Sequence, residues 1–320
     1  MTSAISRSIA VVVFLVVACG GNKPAPPPLG ERVGPLVVAA MTAADQARAP
    51  WRCAASDGPQ LADATLEVAG HTWKLAGHVA AREPQGDVVI GVIADAGGAA
   101  PATLATLGRL RAKLEAAKPT VVITLGGMGA TEHDLETTLA VLADKASWPV
   151  VAIPGDLESV TAHGEAIAKL RKRGVPVVDG RLARRVELGG ATIATLPGAS
   201  FAARLPAGND GCSYRPEDVG AIGEALRDAK GIRVLASFEA FRQRSSEPAG
   251  QIAVEQPYDV ALSAQMAGSA AARSGARDGK HVSLAPSSSD ATVRVPAQQA
   301  SAGVLTVHDG TWTWKLLPDS

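Results

Sequence analysis

The chain has 320 residues, with 31 Lys plus Arg against 31 Asp plus Glu, so its formal net charge is zero. That balance argues against an electrostatic nucleic-acid binder, and a hydrophobic share of 47% excludes wholesale disorder. Three cysteines are too few for a disulfide scaffold, and 3% aromatic residues leave few rings for stacking on sugars or bases.

Residues 1–18 read as an address. Arg7 is their only charge, and Ile9 to Ala18 is an apolar run of ten, too short to span a bilayer. The run ends in Val16-Val17-Ala18-Cys19, followed by two glycines. This resembles a bacterial lipobox, in which the cysteine is lipidated and becomes the first residue of the exported chain. Cys19 is therefore the expected lipid anchor, each buried CH₂ of its acyl chains contributing ~0.8 kcal/mol. The exported chain would have 320 − 18 = 302 residues. Residues 19–50, with Pro26 to Pro28, read as an extended tether. The expected location is the exported side of a bacterial envelope membrane, and residues 51–320 are the expected folded domain.

Export also bears on the two remaining cysteines. Cys53 and Cys212 both lie in loop-like sequence, and an oxidising compartment permits a bridge between them.

The body alternates strand and helix. Residues 64–79 alternate apolar and polar around Gly70-His71, as a hairpin does. Strands are predicted at 88–93, 120–125, 150–153 and 175–178. Between them lie a helix from Pro101 with Leu104, Leu107, Leu110 and Leu114 on one face, and a helix marked by Leu135, Leu139 and Leu142. A third, capped by Ser159, carries Ile167 and Leu170. This βαβαβαβ order predicts parallel strands with helices on the sheet. A hairpin follows over 187–196, then a helix over 216–229 opened by Pro216. Strands are expected at 232–236, 258–262, 281–285, 303–308 and 311–317, with loops at 266–280 and 286–301. Trp312 and Trp314 share a strand face and read as sheet packing.

Ligands of such sheets sit beyond the carboxyl ends of strands. Those ends read Asp95-Ala96-Gly97, Gly126-Gly127-Met128-Gly129, Gly155-Asp156-Leu157-Glu158, Ser237-Phe238-Glu239 and Ala264-Gln265-Met266-Ala267. In order and strand context they resemble the calcineurin-like metallophosphoesterases. The resemblance implies an αββα sandwich and a two-metal phosphoesterase site on the loops Asp-x-His, Gly-Asp, Gly-Asn-His-Asp/Glu, a lone His, and Gly-His-x-His.

Carried over residue by residue, the ligands are mostly gone. Asp95 is kept, but Gly97 replaces the first histidine and Gly127 the bridging acid. Glu158 is kept, with Asp156 and Leu157 in the Asn and His places. Phe238 replaces the lone histidine, and Ala264, Gln265 and Ala267 replace the last motif. The remaining candidate metal residues are Asp95, Asp156, Glu158 and Glu239. They are oxygen donors that suit at most one Mg²⁺, Mn²⁺ or Ca²⁺. None of the six histidines falls on a motif place; His133 and His163 read as solvated side chains of the helices.

Neither Ser200 nor Ser237 sits in a nucleophile elbow, and Gly126–Gly129 lacks the lysine of a phosphate loop. The expectation is an inactive, membrane-tethered relative of the phosphoesterases that needs no cofactor. It would bind an envelope protein or a phosphorylated ligand. The alternative is a phosphoesterase with a reduced metal site. A two-lobed solute-binding lipoprotein is disfavoured, because the sequence shows one set of alternating units.

Overall fold

Alternation along each buried strand sends neighbouring side chains to opposite faces, so a strand apolar on both faces must be covered on both. Val121, Ile123 and Leu125 face one hydrophobic cluster, while Val122 faces another. The computed structural model describes residues 51–83, 86–200, 205–206, 210–239, 256–264, 276–278, 280–284 and 300–319. Cys19, the tether, Gln265 and Ala267 lie outside the described residues.

One sheet has six strands in the order β17(Thr311–Pro318), β16(Ser301–His308), β5(Val88–Ile93), β6(Val121–Leu125), β7(Val150–Ile153), β8(Val177–Asp179). From β5 to β8 the pairing is parallel. The crossovers are α1(Pro101–Ala117), α2(Glu132–Ala143) and α3(Val160–Lys172). Leu107, Leu110 and Leu114 of α1, Leu135, Leu139 and Leu142 of α2, and Ile167 and Leu170 of α3 cover the outer face. Leu104 stands at the border of that face, half-buried.

The second sheet has nine strands. Their order is β14(Ala276–Asp278), β15(His281–Leu284), β13(Val260–Ala264), β12(Ile232–Ser237), β10(Ala191–Leu196), β9(Arg185–Glu187), β4(Val79–Arg82), β3(His71–Gly77), β2(Leu61–Val68). Its inner residues, among them Trp73, Leu75, Ile193, Val234, Leu262 and Val282, meet Ile90, Ile123 and Val151 of the first sheet. On its outer face, α4(Pro216–Arg227) buries Val219, Ile222 and Leu226 against Leu196 and Leu235. The layers are thus helix, sheet, sheet, helix. Trp312 and Trp314 pack against the inter-sheet core. Among the described residues no helix is long and apolar enough to cross a membrane.

Three details differ from the sequence reading. Residues 79–82 form β4, which joins the first hairpin to β9 in parallel; four residues are too few to show a period. Residues 276–278, read as loop, form β14 along β15. Cys212 is not in a loop but in β11(Cys212–Ser213), which pairs with β1(Trp51–Arg52).

Cys53 and Cys212 form a disulfide across a sequence separation of 159. The same corner is fastened by charge: Arg52 Nη2 donates to Asp218 Oδ1 at 2.5 Å, and the buried Arg184 donates Nη1 to the Ala54 carbonyl at 3.2 Å. A bridge closing so long a loop restricts the unfolded chain strongly. Replacing both cysteines by serine is expected to lower stability by ~2–5 kcal/mol, read as a fall in the urea midpoint.

Candidate functional site

The turns after β5, β6 and β7 meet at the carboxyl ends of these strands. Asp95 turns the chain with a left-handed backbone (φ 48°), and its N–H donates to the Gly126 carbonyl at 2.8 Å. Asp tolerates this region better than most side chains. Gly126 and Gly127 follow with φ of 88° and 70°. At Gly127 a Cβ would lie 2.5 Å from Asp95 Oδ1 and 2.7 Å from Asp95 Cα. Only a residue without a side chain fits there, so a bridging carboxylate is excluded sterically as well as by sequence.

Glu158 is fully buried, and both of its oxygens are engaged. Oε1 accepts from Met128 N at 2.6 Å and Oε2 from Gly155 N at 2.8 Å. The side chain thereby clasps the turn after β6 to the turn after β7. Burial pushes its carboxyl up to about 7, against the pull of three backbone amides, those of Gly155, Met128 and Glu158 itself; the neighbouring Asp156 charge adds to the rise.

Phe238, at the end of β12, is buried against the same two turns. A Cβ on Gly155 would lie 2.6 Å from Phe238 Cδ2, and one on Gly126 would lie 2.9 Å from the same atom. The ring therefore fills the space over both glycines. Next to it, Glu239 is bound to other partners. Its Oε2 accepts from Ser200 Oγ at 2.7 Å, from Ser200 N at 3.0 Å and from the Tyr214 hydroxyl.

The four sequence-derived acids are thus divided. Asp95, Asp156 and Glu158 gather on adjacent turns and are buried, but Glu158 spends its oxygens on backbone. Glu239 is held apart by Ser200 and Tyr214. Among the described residues, no three His, Cys, Asp or Glu side chains come together as a metal-holding group. A two-metal centre does not fit this donor set: the bridging position is a glycine pressed on Asp95, and an apolar ring covers the turns.

Sequence reasoning missed the role of His163. It is not solvated but buried on α3, with Nδ1 3.6 Å from Asp179 Oδ1. Arg181 donates to Asp179 from Nε at 3.0 Å and from Nη2 at 2.6 Å. Arg181 Nη1 reaches the Val160 carbonyl at 2.9 Å. Burial alone would raise Asp179, but His163 and Arg181 hold it below its ordinary value. Burial pushes the His163 imidazole down to about 4, against the attraction of Asp179. His133 is exposed, as expected.

A dimetal phosphatase from Danio rerio is similar in structure, with a TM-score of 0.50 at 11% identity. The match covers 73% of this chain and 96% of that one. The fold is that of the calcineurin-like phosphoesterases. Protein TT1561 of Thermus thermophilus matches with a TM-score of 0.48 at 10% identity, over 73% of this chain and 99% of its own. Purple acid phosphatase PPD1 from yellow lupin seeds matches with a TM-score of 0.46 at 12% identity, over 78% of this chain and 57% of its own. No family model matches the chain, and no curated relative does.

Phe238→Ala leaves a cavity over Gly126 and Gly155 and is expected to cost ~3–5 kcal/mol, measured by chemical unfolding. A second expectation concerns pH. His163 is neutral when folded and titrates near 6.5 when unfolded. Its contribution is therefore complete above pH 6.5 and is lost as the pH falls toward about 4. The difference in stability between wild type and His163→Leu should shift in favour of the variant across that window and stay constant above it.

Proposed function

We propose that this chain is an envelope lipoprotein whose calcineurin-like domain has given up di-metal hydrolysis and acts by binding. The observation that carries this reading is the Phe238 ring lying on Gly126 and Gly155, with Glu158 turned inward to the amides of Met128 and Gly155. Two-metal hydrolysis uses its ions to activate water and to clamp both oxygens of the displacement. Here the groups that would carry the ions are replaced by backbone contacts and an apolar ring. The anchor is Cys19, followed by a tether to residue 50. On this reading the folded domain is residues 51–320, and the Cys53–Cys212 bridge fastens its first described residues. A phosphorylated group or an envelope protein would then be held without being cleaved.

The test is metal analysis of purified protein after incubation with Mn²⁺ and Mg²⁺, with a phosphodiesterase assay alongside. The expected result is no stoichiometric metal, no turnover, and no effect of Asp95→Asn. Stoichiometric metal with turnover abolished by Asp95→Asn would replace this reading by the reduced, single-metal phosphoesterase. Labelling with a clickable fatty acid tests the anchor separately: wild type should take up label, and Cys19→Ser should not.

A further inference from the structure

In parallel βαβ units the helices run against the strands, so their C-termini collect at the end of the sheet opposite the turns just described. Here that end is cationic. Lys118 follows α1, Lys145 follows α2, and Arg171 and Lys172 end α3. All four are exposed and have no ion-pair partner among the described residues. The other charges of these helices behave differently. Lys169 pairs with Glu132, Arg173 with Glu136 and Arg111 with Glu115. At the adjoining β5–β16 corner, Asp87 and Asp309 are turned onto His308. Asp144, the C-cap of α2, precedes Lys145.

Cations at helix C-termini are favoured by the dipole, as at the last turn of α3. It does not account for the backbone beneath two of them. Lys118 and Lys145 have φ of 51° and 55°, in the left-handed region that favours glycine. Lysine is disfavoured at both places by the local conformation, and both places bring charge to the same edge.

We propose that this edge, formed by Lys118, Lys145, Arg171 and Lys172, is a docking surface for an anionic lipid bilayer. It would orient the domain with its turns away from the membrane. The proposal rests on the reading of Cys19 as an anchor, which supplies the bilayer. The reach suffices. The chain enters the fold at β1, beside β11 and hence near the turns, and α1 spans only about 25 Å from end to end. Residues 20–50 allow an extended contour of roughly 100 Å. That contour exceeds the length of α1, so an anchor at Cys19 leaves this edge free to meet the membrane.

The experiment uses the chain beginning at residue 19 with Cys19→Ser, so that no acyl chain contributes. The described core residues all lie at or beyond Cys53, so the folded unit is intact in it. Partitioning is measured onto phosphatidylcholine vesicles with and without phosphatidylglycerol, at low and high salt. Binding should require phosphatidylglycerol, weaken with salt, and fall about fivefold for each cation removed in Lys118→Gly, Lys145→Gly, Arg171→Gln and Lys172→Gln. The two glycine variants should at the same time keep or raise the melting temperature, because glycine relieves the left-handed backbone; a purely structural role would lower it. Lys74→Gln and Lys315→Gln, on other faces, should bind as wild type. The proposal is overturned by binding that ignores phosphatidylglycerol, by equal loss in the two control variants, or by binding to heparin without binding to vesicles. Any of these results leaves the fatty-acid labelling of Cys19, and thus the anchor, to stand on its own.

Discussion

A buried carboxyl is tolerable only where its oxygens find partners, and those of Glu158 find backbone N–H groups. Its two oxygens take the N–H groups of Met128 and Gly155, on turns that follow different strands. This clasp accompanies turns so close that Gly126 has no room for a side chain against Gly155, while Phe238 fills the space at Gly155. The Phe238 ring closes over them and excludes water, which strengthens the same hydrogen bonds by lowering the local dielectric. An acid committed in this way has each oxygen engaged by a backbone N–H and lies fully buried behind the turns. The chemistry of the strand ends follows from that commitment more than from the absence of any one histidine.

Around the clasp, the rim is tied in series. Ser159 caps α3, accepting from Ala162 N at 3.0 Å, and Val160 N donates to the Asp210 carbonyl at 2.6 Å. Arg181 holds the Val160 carbonyl from the other side while it neutralises Asp179. Asp210 leads to Cys212, and the disulfide carries the connection to Cys53 and β1. Glu158, α3, β11 and the chain's entry into the domain thus form one mechanical unit. A partner that grips this rim would meet a surface already set before binding, which lowers the ordering cost of association.

The zero net charge conceals a polar arrangement. Carboxylates occupy the turns at the strands' carboxyl ends, and cations with no ion-pair partner among the described residues occupy the helix C-termini at the other end. Parallel βαβ connections produce this separation directly, because every crossover returns the chain to the same end of the sheet. Net charge governs solubility, whereas the distribution of charge governs how a domain meets a charged surface.

Much of the fold was legible in the sequence because its determinants are local. Apolar runs such as Val88 to Ile93 and Val121 to Leu125, Ser159 as a cap, and the leucine spacing of α1 and α2 each act within a few residues. Their order required parallel strands and fixed which turns share an end of the sheet. The acids Asp95, Asp156, Glu158 and Glu239 could be placed on those turns for the same reason. What they do there could not be read. Glu158 meets Met128 across 30 positions, and Glu239 meets Ser200 across 39. Phe238 reaches Gly126 from another sheet, and the buried His163 faces Asp179, itself held by Arg181, across 16 positions. β4 escaped notice because its place is set by its neighbours β3 and β9. Periodicity is a property of neighbours along the chain and determined the elements. The partners of a carboxylate or a ring are neighbours in space, and only the packing of two sheets decided them.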